Sequence, residues 1–127
     1  MKFIVQSYNY AYELQMQTSI DLMGNLFTGM KICMDNKFLI GSHTDGILTV
    51  LNLETETSQT MTSIFGEVDN IWGIELLANP CPGEPQMLMI PTSSGMYQCI
   101  LTQLGQLLYC MESFFEGSNV TNVVVVN

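Results

Sequence analysis

The chain has 127 residues, 47% of them hydrophobic, and its twelve acidic residues against three lysines give a net charge of −9. This charge argues against nucleic-acid binding, because phosphate contacts require a basic patch, and it disfavours docking on anionic lipid. The length predicts one domain over residues 1–127, and no apolar run reaches the roughly 18 residues that would insert into a membrane as a spanning helix.

Taken in chain order, the residues predict short strands joined by tight turns. Tyr12–Gln17 alternates between polar and apolar residues, which is the period of a half-buried strand. Asp45-Gly46 separates two apolar runs and is a strong hairpin signal. About twelve strands are predicted, at residues 3–5, 12–17, 19–24, 26–34, 37–42, 47–53, 58–65, 70–77, 86–90, 96–102, 107–114 and 123–126. No convincing amphipathic helix longer than two turns is present, so an all-β fold is expected.

A glycine followed by a polar turn and an apolar run occurs three times. These glycines are Gly24, Gly66 and Gly117, with spacings of 42 and 51 residues. A period of about 40 to 50 residues made of short strands is typical of propeller blades. The longer second spacing matches the proline-rich segment Asn79–Pro85, which we interpret as a loop insertion of small energetic cost.

Two segments resemble the repeat of the WD β-propeller family. In Gly41–Glu54 a Gly-Ser strand end precedes an Asp-Gly turn and a further strand, and Gly66–Ile74 resembles the segment that starts a repeat. The resemblance implies antiparallel four-stranded blades of a WD-like propeller. It covers the middle unit well, the third unit fairly and the first poorly.

The chain departs from the family pattern at the residues that would form its buried hydrogen-bonded tetrad. Ser42 and Asp45 match, but Leu51 and Asn52 stand where tryptophan and aspartate would be, and Glu67 stands where histidine would be. The resemblance therefore implies a degenerate WD-like propeller in which the complete tetrad cannot form.

The number of strands predicts an incomplete ring. About twelve strands make about three blades, whereas closed propellers have four to eight. The segment is therefore expected to be completed by another protein or by a second copy of itself. The terminal run Val123, Val124, Val125 and Val126 is expected to exchange as a strand with that partner, because an unpaired β-branched edge is an aggregation hazard.

Candidate partner-binding residues follow from the same resemblance. The turns that carry His43, Asp45, Glu67 and Asp69 would lie on one rim, where such folds usually bind their partners. His43 is expected on the surface of its turn. Trp72 is a candidate interface anchor, although packing on an inner strand is the favoured interpretation.

The sequence carries no pattern that predicts catalysis. It has no nucleophile motif, no metal-ligand spacing and no glycine-rich phosphate loop, so no enzyme activity, cofactor or metal is expected. Cys33, Cys99 and Cys110 lie in apolar runs and Cys81 lies in a loop, without a Cys-x-x-Cys pair. Reduced thiols and a cytoplasmic or nuclear location are therefore expected.

The function predicted from these observations is a non-enzymatic protein–protein interaction or assembly subunit, built as a scaffold of strands and turns. The alternative is a small α+β dimer of the profilin or roadblock type, which would serve as a trafficking or motor-assembly adaptor. That alternative requires helices at residues 10–23 and 101–115.

Overall fold

A computed structural model of the chain describes residues 2–21, 27–61, 70–77, 83–115, 117–124 and 126. All regular structure in these residues is β, so the predicted all-β class is confirmed. The strands are β1 Lys2–Tyr8, β2 Leu14–Asp21, β3 Phe27–Cys33, β4 Phe38–His43, β5 Leu48–Asn52, β6 Thr57–Met61, β7 Glu75–Leu76, β8 Gln86–Thr92, β9 Gly95–Leu101 and β10 Leu107–Phe114. The helices that the α+β alternative requires are wrong, because β2 and β10 occupy most of those residues.

The strands form three antiparallel sheets. Strands β1 and β2 make a two-stranded hairpin, β3-β4-β5-β6 make sheet I, and β7-β8-β9-β10 make sheet II. In both four-stranded sheets every strand pairs with the strand that follows it in the chain. Most of these connections are short turns, where the sequence supplies residues that tolerate positive φ, such as Asn36 and Gly46. The exception is the connection of nine residues, 77–85, between β7 and β8.

The main hydrophobic core lies between sheet I and sheet II. Sheet I contributes Phe38, Ile40 and Val50, while sheet II contributes Leu88 and Ile90. Burial of each such side chain stabilises the folded state by roughly 1.5–3 kcal/mol. The core therefore holds the two sheets together as layers of one unit.

Sheet I is apolar on both of its faces. Ile40 and Val50 are directly opposite each other and point into the main core, whereas Leu39 and Leu51 are the next pair and point the other way. Leu39 and Leu51 are also buried, with Phe27 and Leu53 packed against them. A sheet of this kind must pack against apolar side chains on both faces, whereas the common antiparallel sheet has one solvent-exposed face.

Besides the terminal segment 123–126, three predicted strands differ from the structure. The segments 12–17 and 19–24 were expected as separate strands, but one strand, β2, pairs with β1 from Lys2↔Asp21 to Tyr8↔Leu14. The segment 70–77 was expected as one strand, but only an isolated bridge at Ile71 and the short β7 form. Pro91 lies opposite this gap, and its missing N–H removes one donor from the ladder.

The turn between β9 and β10 is packed against the start of β4. Lys37 Nζ donates to the Gln103 carbonyl at 2.8 Å, and Gly105, at φ 85°, lies over the Phe38 ring. A Cβ built on Gly105 would be 2.8 Å from Cε1 of Phe38, which is closer than real contacts allow. This turn therefore ties sheet II to sheet I at one end of both sheets.

We expect Gly105→Ala to destabilise the protein more than Gly83→Ala. Gly83 also has a positive φ, of 88°, but open space surrounds its Cα. In both variants the positive φ should lower the free energy of unfolding by about 1–2 kcal/mol. In Gly105→Ala, overpacking against Phe38 should lower it by about 1–3 kcal/mol more. Urea unfolding of the two variants measures the difference, and equal destabilisation would contradict the packing between the turn and β4.

Candidate interaction surface

The two sheets meet along their first strands through a short hydrogen-bond chain. Thr28 Oγ1, on β3, donates to the carbonyl of Ile71 at 2.7 Å. Because the Thr28 hydroxyl has one proton, the 2.7 Å contact with Ser42 must have Ser42 Oγ as its donor. Ser42 therefore belongs to a partly buried network whose other member is Thr28, which the sequence did not single out.

A backbone hydrogen bond joins the same two sheets. The Ile71 amide, just before β7, donates to the carbonyl of His43, the last residue of β4, at 3.4 Å. The Val120 amide donates in the same way to the carbonyl of Thr92, the last residue of β8, at 2.9 Å. Val120 follows Ile71 by 49 residues, and Thr92 follows His43 by 49 residues. The second contact joins a segment that lies outside the strands, residues 117–124, to sheet II; we call the two equivalent contacts the inter-sheet link.

Residues 117–124, here called the C-terminal segment, bond to the β8–β9 turn of sheet II and to Trp72, which precedes β7. The Gly117 amide donates to the Ser94 carbonyl at 2.9 Å, and the Trp72 indole N–H donates to Asn119 Oδ1 at 2.8 Å. Trp72 is half-buried. Its polar edge thus holds the chain's own C-terminal segment, while its role as an anchor for a partner stays a prediction.

A groove of about 210 Å³ lies between β3 of sheet I and residues 72–75 of sheet II. Its walls come from β3, from residues 72–75 and from Asn122 and Val123. An ion pair of 3.1 Å between Lys31 Nζ and Glu75 Oε1 crosses from β3 to β7. Since both side chains are partly exposed, the pair contributes less than about 1 kcal/mol, and its main effect is to line the groove with balanced charge.

His43 is not on the surface of a turn, and that prediction is wrong. Strand β4 continues through His43, whose side chain is 0% exposed. Its Nε2 lies 3.0 Å from Thr49 Oγ1 and its ring centroid lies 4.3 Å from that of Phe27, while Nδ1 has no hydrogen-bond partner among the described residues. A side chain so buried cannot contact a partner in this state. Asp45, two residues later, is exposed.

Burial lowers the pKa of His43, against the opposing effect of the nearby Asp45 carboxylate. Burial likewise raises the pKa of the Cys33 thiol to about 11, so this residue is a protonated core side chain. Cys99 is also buried, as the apolar run predicted. Neither shift creates a nucleophile or a charged group at the surface.

Only some of the other predicted site residues lie within the described part of the chain. Glu67, Asp69 and Val125 lie outside the described residues. Val123 is half-buried at the groove, whereas Val124 and Val126 are exposed, and none of the three lies in a strand. Strand exchange through Val123–Val126 stays a prediction, since a strand needs a partner ladder to form.

Within the described ranges, no three histidine, cysteine or acidic side chains come together as a possible metal site. Those ranges also contain no helix long and apolar enough to cross a membrane. No known family model matches the chain, and no curated protein matches it significantly. Its function is therefore inferred from its own geometry.

The stability of the protein should decrease as the pH falls through the range in which His43 titrates. Because the pKa is lower in the folded state than in the unfolded chain, the unfolded chain binds more protons below about pH 6.5. The stabilisation is therefore complete above that pH and is lost on acidification. Urea unfolding between pH 5 and 7.5 should show a shallower decrease for His43→Gln, which keeps an N–H for Thr49 but does not titrate. Parallel pH profiles for both proteins would show that His43 does not cause this loss of stability.

Proposed function

We propose that the chain is a non-enzymatic protein–protein interaction subunit, built as a WD-like propeller segment that another chain or a second copy completes. The observation that carries this proposal is the inter-sheet link, which recurs after 49 residues at Ile71 and Val120. A backbone contact repeated between residues 49 positions apart is typical of a stack of equivalent units.

The arrangement of the strands supports a propeller type of stack. In a propeller, four-stranded antiparallel sheets surround a central channel with their first strands innermost. Here β3 and β7 are the first strands of sheets I and II, and they contact each other across the groove. The groove, lined by β3, residues 72–75 and Asn122–Val123, would then be part of the channel wall.

The charge distribution supports a role on an exposed rim. Lys31 pairs with Glu75 and Lys37 binds the Gln103 carbonyl, so both lysines with described side chains are engaged within the chain. Asp45 and Glu54 are exposed. We propose that the rim at Asp45, together with Glu67 and Asp69, binds a partner with a complementary basic surface.

The buried thiols of Cys33 and Cys99 support a cytoplasmic or nuclear location. Neither side chain is exposed, and burial keeps the Cys33 thiol protonated. Cysteines used as core residues are typical of reducing compartments, where disulfides are rare.

Charge reversal on the proposed rim should weaken partner binding without lowering the melting temperature. The test uses a tagged chain that carries Glu67→Lys and Asp69→Lys, and it measures the protein retained from extracts of the native host. Glu54→Lys with Glu56→Lys is the matched control, because both are exposed in the β5–β6 turn at the opposite end of sheet I. Replacing both rim carboxylates by ammonium groups should reduce binding at least about tenfold, because repulsion then replaces attraction to a basic partner.

Unchanged binding by the Glu67/Asp69 variant would contradict the rim, as would unfolding of that variant. Equal weakening in both variants would show that net charge alone attracts the partner. A chain that is a stable monomer at low micromolar concentration and retains no protein would contradict the proposed function itself.

A further inference from the structure

We propose that the turn of the β1–β2 hairpin binds an arginine-bearing segment of a partner protein through its exposed tyrosine rings. This inference rests on the proposed function and adds a second contact surface to the rim at Asp45. The surface, here called the tyrosine turn, consists of Tyr8, Tyr10, Tyr12 and Leu14, where β1 ends and β2 begins.

Large side chains are concentrated and exposed in the tyrosine turn. Tyr10 is fully exposed, Tyr12 is 89% exposed and Tyr8 is 54% exposed. Leu14 is 50% exposed and directly opposite Tyr8 in the hairpin, so these two side chains lie on the same face. Single apolar residues at a surface are normal, whereas a cluster of them marks an interaction site. Tyrosine in particular is enriched where proteins contact each other.

Asn9 fixes the backbone of this turn. Its side-chain Oδ1 accepts hydrogen bonds from the amides of Ala11 and Glu13, at 2.9 and 3.0 Å. Its own amide donates to the Glu13 carbonyl, and its carbonyl accepts from the Tyr12 amide, each at 3.0 Å. Because these bonds order the turn before a partner binds, association loses little conformational entropy. The tyrosines add large contact areas with only two side-chain torsions each.

A chain of side-chain hydrogen bonds holds Tyr8 on the face of the hairpin. The Tyr8 hydroxyl donates to Gln6 Oε1 at 3.0 Å, and Gln6 Nε2 donates to Gln17 Oε1 at 2.8 Å. Gln6 and Gln17 are themselves directly opposite each other on β1 and β2. Since the Tyr8 hydroxyl is engaged within the hairpin, its aromatic ring is the part that it offers to a partner.

The charge of the tyrosine turn favours a cationic partner. Glu13 is the one charged residue among residues 8–14, and it is exposed between Tyr12 and Leu14. The chain as a whole has a net charge of −9. A cation over the face of a tyrosine ring is attracted by the ring's quadrupole, and the Glu13 carboxylate attracts the same cation. Arginine fits better than lysine, because its planar guanidinium both stacks on aromatic rings and pairs with a carboxylate through two N–H groups.

The same charge disfavours two other surfaces that bind exposed tyrosines. Membrane interfaces accommodate tyrosine, but anionic headgroups attract basic residues, and residues 8–14 contain none. Nucleic-acid bases stack on aromatic rings, yet their phosphates also require basic residues. A protein segment that carries arginine is the partner that matches both the rings and the Glu13 carboxylate.

The test titrates the isotope-labelled chain with a synthetic decapeptide of alternating arginine and glycine, and follows the backbone amides by NMR at physiological ionic strength. The peptide should shift the amides of residues 8–14, and a decapeptide of alternating lysine and glycine should bind less tightly. The double variant Tyr10→Ser with Tyr12→Gly should raise the dissociation constant of the arginine peptide about tenfold, because it loses two cation–π contacts of the strength found at exposed sites.

Phe115→Gly is the matched control for the loss of an exposed ring. Tyr12 and Phe115 are both exposed aromatic residues at positive φ, of 62° and 58°, and glycine adopts this conformation without steric cost. Neither substitution should therefore lower the melting temperature appreciably, but only the tyrosine variant should lose affinity for the arginine peptide. Far-ultraviolet circular dichroism verifies folding, and Tyr10→Ser alone replaces the double variant if the latter does not fold.

Several results would overturn the tyrosine turn as an arginine-binding surface. These are no binding at millimolar peptide, equal affinities for the arginine and lysine peptides, and equal affinities of the wild type and the tyrosine variant. Peptide binding that is lost only with Glu67→Lys and Asp69→Lys would overturn it while leaving the proposed function standing on the rim. Binding to phosphatidylcholine vesicles, but not to the peptide, would replace the protein partner by a lipid surface. Since the titration does not depend on protein retained from extracts, the two proposals can fail separately.

Discussion

The inter-sheet link is the contact on which the rest of the structure depends. The Ile71 amide donates to the His43 carbonyl and so places the start of sheet II against β4. The carbonyl of Ile71 in turn accepts a hydrogen bond from Thr28 on β3. With both backbone groups of Ile71 fixed, this residue connects to both β3 and β4 of sheet I. The main core fills the space between the two sheets, and Ile71 is a fully buried member of it.

Sheets that are apolar on both faces explain the composition of the chain. Leu39 and Leu51 are buried on one face of sheet I while Ile40 and Val50 are buried on the other. Sheet II has the same two-faced pattern, because Leu88 and Ile90 are buried in the main core while Met89 and Met96 are buried on the opposite face. This demand accounts for a hydrophobic content of 47%.

The strands and turns could be predicted from sequence because alternation and turn residues are local signals. The predicted strand at 107–114 coincides with β10, and the Asp45-Gly46 turn lies where it was expected. His43 was misplaced because a histidine beside a turn has the same local signal whether β4 ends before or after it. Thr28 could have been noticed as a hydroxyl within the apolar run 26–34. The inter-sheet link had no such signal, since backbone groups form it and any residue type except proline can supply its amide donor.

Amide hydrogen exchange at Ile71 and Val120 tests the central claim most directly. If the inter-sheet link repeats, both amides should be protected to a degree close to that of paired amides in β8, although residues 72–74 and 121–124 lie outside strands. Exchange of both amides at the rate of an exposed loop would show that the sheets are not joined in this way. It would contradict the repeat on which the proposed propeller-type stack depends.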